Sequence, residues 1–122
     1  MKIVRIAREG RKPSAERIFV GEVDTQGLVH DDDGRDLRLI EVHFKAGARN
    51  RMHTHTTDQV LVVTEGVGIV ATRQEQREVT PGDAAFIPAG EEHWHGAKPG
   101  HDMTHLAMNG HGSQTTVTED AV

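Results

Sequence analysis

The sequence predicts an all-β fold in one domain, and three observations carry that expectation. Short β-prone runs alternate with Gly, Pro, Asp and Asn punctuation, the spacing that a barrel or sandwich produces. The hydrophobic periodicity contains no amphipathic helix of three or more turns. At 122 residues the chain suffices for one core and not for two, so 1–122 is read as a single unit.

The elements follow in order. Residues 1–16 form an N-terminal arm, basic through Lys2, Arg5, Arg8, Arg11 and Lys12, and expected as a solvated face. Residues 17–23 read as an early strand, followed by a polar loop through Asp31-Asp32-Asp33-Gly34. In 37–45, Leu37, Leu39 and Phe44 are punctuated by Arg38, Glu41 and Lys45, and a turn follows at Ala46-Gly47. Segments 58–64 and 67–73 are expected to form a hairpin closed at Glu65-Gly66. Pro81-Gly82-Asp83 turns the chain before 84–88, and 93–97 is expected to pair with 104–109 about Pro99-Gly100-His101. Residues 37–109 make the barrel core; the chain is polar from Gly110, and 113–122 reads as a loose or dimer-dependent tail.

Composition narrows the chemistry. Aromatic residues are 3% of the chain, so the core must rely on Val, Ile, Leu and Ala. Cysteine is absent, which excludes disulfides and thiolate ligands and leaves His, carboxylate or amide groups for any metal. A formal charge of −5 argues against nucleic acid as a partner. No run resembles the apolar region of a signal peptide or approaches the ~20 residues needed to span a bilayer, so no membrane is expected and the cytoplasm is the expected compartment. The outlier is histidine: nine residues with no terminal run, four of them in two short pairs.

The first pair is His53-Thr54-His55, and the second is His93-Trp94-His95. Residues two apart on an extended chain share a face, so each pair projects together, and Gln59 can return to the face of His53 and His55 after a Thr-rich bend. Two imidazoles so placed can chelate one ion.

These segments resemble the two signature motifs of the cupin superfamily, G-x5-H-x-H-x3-E-x6-G and G-x5-P-x-G-x2-H-x3-N. The first matches at Gly47, His53, His55 and Gly66, and the second at Gly82, Pro88, Gly90 and His93, with every spacing intact. Gln59 stands where the family has a ligand Glu, and Ala97 where it has Asn. The resemblance implies a single-domain jelly-roll β-barrel holding one divalent metal through His53, His55, Gln59 and His93. Three neutral imidazoles with Gln would leave that site at +2, against +1 with Glu, and so favour anions. The ligand set suits Mn, Fe, Co, Ni or Zn.

Two more histidines are expected beside the metal. His95 shares the face of His93, and His105 would sit opposite His95 across a hairpin centred near Gly100. The stretches 47–55, 88–97 and 103–107 are also similar to small bacterial cupins that include manganese-dependent hydroxynitrile lyases, which likewise have Gln at the position of Gln59. That narrower resemblance implies cleavage of a cyanohydrin to an aldehyde or ketone plus cyanide, with the metal as Lewis acid and His95 or His105 as the catalytic base. Fe-dependent dioxygenases and non-catalytic small-molecule binding modules occur in the same superfamily, and both stay open as alternatives.

Strand parity sketches the substrate pocket. With Gln59 inward, Leu61 and Val63 point inward; Ile40, Val42 and Phe44 share a parity, and Ala107 and Asn109 share that of His105. The expected pocket is apolar around a polar centre and suits a small-molecule substrate. Val60 and Val62 would face outward, which points to a homodimer.

Overall fold

The computed structural model describes residues 1–119. Among the described residues are thirteen strands and one short 3-10 turn: β1 Lys12–Pro13, β2 Phe19–Val20, β3 Val23–Val29, β4 Leu37–Phe44, β5 Arg49–Asn50, β6 His53–His55, β7 Gln59–Gly66, β8 Gly68–Ala71, β9 Gln76–Val79, β10 Ala84–Ile87, β11 Trp94–Ala97, β12 Met103–Gly110 and β13 Thr115–Val117. They form a six-stranded sheet ordered β1-β3-β4-β12-β7-β10, a five-stranded sheet ordered β2-β5-β11-β8-β9, and a two-stranded ribbon of β13 with β6. All pairings are antiparallel. The fold is all-β, a jelly roll whose two larger sheets enclose Val23, Val42, Phe44, Val63, Ala97 and Met103. Among the described residues no helix is long and apolar enough to cross a membrane.

Alternation explains the central strands. Along β7, Gln59, Leu61 and Val63 are buried while Val62 is 37% exposed. On the same outer face, Phe86 of β10 and Met108 of β12 are exposed as well.

Several expected pairings are corrected. Segments 58–64 and 67–73 are not a hairpin: β7 pairs with β10 and β12, whereas β8 pairs with β9 and β11. The cause is Gly66, whose φ of 78° carries the chain from one sheet to the other in a turn so tight that a side chain would run into the Asp102 carbonyl. Segments 93–97 and 104–109 do not pair either, since β11 lies in the five-stranded sheet and β12 in the six-stranded one. The early strand at 17–23 is divided at Gly21 into β2 and the start of β3. Strand β9 was not expected, because its residues Gln76-Arg77-Glu78-Val79 carry no apolar alternation.

The N-terminal arm and the described part of the C-terminal segment are both anchored. The arm is more than a solvated face: the Arg11 side chain is only 10% exposed and forms 2.8 Å ion pairs with Glu41 and Glu65 on the outer surface of the six-stranded sheet. Gln26 donates to the same Glu41 carboxylate at 2.7 Å. At the other end, the described part of the expected loose tail is a strand, β13, paired with β6 through Thr115↔His55, Thr116↔Thr54 and Val117↔His53. Glu119 then locks it, accepting from Arg49 at 2.9 and 3.0 Å and from the Met52 amide at 3.0 Å. The rest of that tail, 120–122, lies outside the described residues.

Candidate metal centre

Strand β6 places His53 and His55 on one face, and the chain then bends through Thr57 and Asp58 to start β7 at Gln59. That bend is pinned, because the Asp58 carboxylate accepts from the Ala89 amide at 2.9 Å and the Thr57 hydroxyl accepts from the Gly110 amide at 3.0 Å. His93 arrives from the other histidine segment. The backbones of His53 and His93 exchange reciprocal N–H···O bonds of 2.9 and 3.0 Å, so two segments 40 residues apart are joined at the candidate ligands themselves. Ring nitrogens of His53, His55 and His93 all lie within 4.8 Å of one another.

The outward nitrogens decide what the inward ones can do. Nδ1 of His53 lies 2.6 Å from the Arg51 carbonyl, and Nδ1 of His93 lies 2.9 Å from the Glu91 carbonyl. A carbonyl only accepts, so each Nδ1 carries the proton and each Nε2 presents a lone pair. Nδ1 of His55 is held by the Thr115 hydroxyl at 2.8 Å. Inside, Nε2 of His53 is 3.2 Å from Nε2 of His55, and Nε2 of His93 is 3.1 Å from Oε1 of Gln59. Gln59 is oriented by its amide Nε2, which donates to Asn109 Oδ1 at 3.2 Å. Lone pairs of His53 Nε2, His93 Nε2 and Gln59 Oε1 thus converge, and His93 Nε2 meets Gln59 Oε1 with no proton between them, an arrangement that a cation relieves.

Electrostatics agree. Burial first, then the neighbouring His93, hold the His53 imidazole down to about 3, and burial with His93 and Arg38 holds His55 down to about 4. His93 is lowered by burial as well. The three rings are neutral at neutral pH, the form that ligates. With Gln59 as an amide oxygen, no anionic donor is present in the set, which fits a divalent ion of the Mn to Zn series.

His95 and His105 meet, though by another route than a hairpin. They face each other across the interior from opposite sheets, with Nε2 of His105 2.9 Å from Nδ1 of His95. The His95 ring lies 5.6 Å from that of His93 and 5.7 Å from that of His53. Asn50 fixes His95, accepting from its backbone amide at 2.8 Å and placing Nδ2 3.1 Å from its Nε2. Burial pushes His95 well below its ordinary range and His105 down to about 4.

A cavity of about 360 Å³ opens onto these groups, with His53, His55, Gln59, His95 and His105 in its wall. Of the expected pocket residues, Ile40, Val42, Phe44 and Asn109 line it. Leu61 does not: its inward parity buries it in a core cluster with Ile87 and Ala107, behind the cavity wall. Sequence reasoning missed Asn50, Ile18, Phe19, Arg38, Ser113 and Thr115, which also line the cavity. Asn50 had one available signal, its place three residues before His53 inside the first motif. Ser113 and Thr115 had none, because a polar C-terminal stretch looks the same whether free or docked.

Comparison with known proteins agrees with the geometry. A family model described as a cupin domain matches residues 40–108, which include all the histidines above. The chain is 37% identical over 110 residues to an (R)-mandelonitrile lyase of Granulicella tundricola, covering 88% of this chain and 83% of that one. A cupin-like protein of Thermotoga maritima superimposes with a TM-score of 0.84 at 29% identity, over 90% of this chain and 86% of that one. A polyketide cyclase of Streptomyces resistomycificus shares the fold, with a TM-score of 0.81 at 23% identity over 96% of this chain and 86% of that one. A matched segment spanning more than half of the residues, together with a 37% identical relative, shows that the chain belongs to the cupin family.

Proposed function

We propose that the protein is a metal-dependent lyase that cleaves cyanohydrins to an aldehyde or ketone and cyanide, with manganese as its ion. The observation that carries this reading is the non-ligating His95–His105 pair in the same cavity wall as His53, His55 and Gln59. Identity to a mandelonitrile lyase supports the substrate class. A bound divalent ion would supply Lewis acidity, lowering the pKa of a substrate hydroxyl beside it.

The chain's own residues do the rest. Ile40, Val42 and Phe44 give the cavity an apolar wall that holds the hydrocarbon part of a small substrate and excludes water from it. His95 or His105, both neutral, takes the hydroxyl proton, and their 2.9 Å contact lets the charge be shared between two rings. As the carbonyl forms, the C–C bond to the nitrile carbon breaks and its electron pair leaves with cyanide. The imidazolium then returns the proton to give hydrogen cyanide, and the pair is restored. Asn50 keeps the His95 ring in register throughout.

The test is a mandelonitrile cleavage assay on protein loaded with manganese, following benzaldehyde, with metal content measured on the same sample. Turnover that requires the ion is expected. A stoichiometrically loaded protein without cleavage would overturn the reading.

A further inference from the structure

The cavity has a second polar pole that the proton pair does not use. Register across the six-stranded sheet puts Arg38, Asn109 and Gln59 on one rung, Ile40, Ala107 and Leu61 on the next inward-facing rung, and Val42, His105 and Val63 on the third. Asn109 and His105 are therefore four residues apart on one strand, roughly 13 Å along it. The converging acceptors lie between them. Gln59 is bonded to Asn109 on one side, and the rings of His53 and His93 stand against His95 on the other.

At the Asn109 pole two donors have no partner. Asn109 and Ser113 are each 8% exposed and line the cavity, and Asn109 Nδ2 and Ser113 Oγ are buried without a hydrogen bond. A buried donor left unmade costs roughly 1–3 kcal/mol, so such groups normally have an occupant. Arg38 fixes this corner, donating to the Ser113 carbonyl at 3.0 Å and facing Asp31 at 3.3 Å. Its charge also reaches the cavity, where it is among the groups that depress His55. Glu16 is the acidic residue in the cavity wall, and it is exposed at the rim.

We propose that Asn109 and Ser113 form a nitrile pole, donating Nδ2–H and Oγ–H to the nitrile nitrogen of the cyanohydrin and to the cyanide that leaves it. This rests on the lyase reading. A cyanohydrin carries its hydroxyl and its nitrile on one carbon, and the cavity offers a proton acceptor on one side of the centre and donors on the other. The hydroxyl proton goes to the His95–His105 pair, and the electron pair of the broken C–C bond moves toward the donors. Negative charge develops at the nitrile only as that bond breaks, so donors placed there favour the transition state over the bound substrate. Arg38 is a positioning residue, acting through Ser113.

Asn109→Asp and Ser113→Ala test the assignment. Asn109→Asp keeps an oxygen to accept from Gln59 while replacing the donor, so metal content should stay at the wild-type level as kcat/KM for mandelonitrile falls by about 10²-fold. Ser113→Ala should lower it by roughly tenfold. The second readout is the C≡N stretch of phenylacetonitrile bound to the manganese-loaded protein, a nitrile with no hydroxyl to lose. It should move away from its value in an apolar solvent in the wild type and return toward it in both variants. Wild-type kinetics in both variants, or a stretch that the substitutions leave unchanged, would overturn the pole. An active wild type with unaffected variants rejects this inference alone. An inactive wild type rejects the lyase, and the stretch then still reports whether the corner binds nitriles.

Discussion

Five histidines cluster at one cavity, four of them in its wall with His93 packed against His53, and they fall into two groups that differ in what their second nitrogen touches. In His53, His55 and His93 the outward nitrogen is held by an acceptor-capable oxygen, from Arg51, Thr115 and Glu91, and the inward nitrogens crowd together. In His95 and His105 the rings bond to each other, and His105 Nδ1 has no partner. In the first group the carbonyls fix the tautomers of His53 and His93, and the crowded inward nitrogens suit the holding of an ion. In the second, Asn50 Nδ2 donates to His95 Nε2, so His95 Nδ1 carries the proton shared with His105 Nε2, a ring-to-ring contact suited to transfer. Residue type and burial are nearly common to both, so the neighbour of the far nitrogen sets the role.

The comparison breaks most visibly at the ligands. His53→Ala or His93→Ala should remove most bound metal, read by elemental analysis, while circular dichroism keeps the β signature, because the core is Val42, Phe44, Val63 and Met103 rather than the site. Stoichiometric metal in both variants would dissolve the distinction between the groups. His95→Ala and His105→Ala should do the opposite, leaving metal content intact and lowering turnover by about 10²-fold each. The double variant should be little worse than the more damaging single one, since a pair acting as one unit loses its function once. Additive losses would mean that the two rings work independently.

Thr115→Val sharpens the contrast by releasing only the outward nitrogen of His55. Metal affinity should fall by about 10- to 100-fold with the cavity unchanged, as measured by competition with a chelator. The smallest effect concerns the C-terminal lock. Arg49 first, then the Met52 amide, hold the Glu119 carboxyl down to about 2 from its ordinary 4.5. A lowered carboxylate stabilises the fold above its ordinary value, and that contribution is lost as pH falls toward 2. Glu119→Gln in the metal-free protein should therefore unfold earlier than wild type by about 0.2–1 kcal/mol above pH 4.5, with the gap closing near pH 2. A gap that persists at pH 2 would assign the lock to packing instead of charge.

The inward faces were readable because a single rule governs them. Alternation places Val42, Phe44, Gln59, Val63, His105 and Asn109 on the side where the structure has them, and motif spacing brings His53, His55 and His93 together. Partners were less legible. Two runs either side of Glu65-Gly66 satisfy a hairpin and a crossover equally well, and they are separated by pairings to β10, β12, β9 and β11 that local sequence does not encode. His95 and His105 meet across the barrel because their sheets face each other, a relation that local spacing does not encode. Leu61 shows the limit of parity, which tells inward from outward but not whether an inward side chain reaches the cavity. Docked polar segments were the least legible. Arg11 under the sheet and Thr115 on His55 gain their places from single charged or hydroxyl contacts that carry no hydrophobic period.

The amide clasp between His53 and His93 has a consequence for how the protein acquires its ion. In small metal domains the ligands meet only because the ion draws them together, so chelation and unfolding are one event. Here backbone bonds between His53 and His93 join the two segments independently of their side chains, so the metal-free protein is expected to stay folded. Loading is then ordinary ligand binding, adding stability only by mass action. A chelator should strip any bound ion and leave a folded vessel that a different divalent ion can refill.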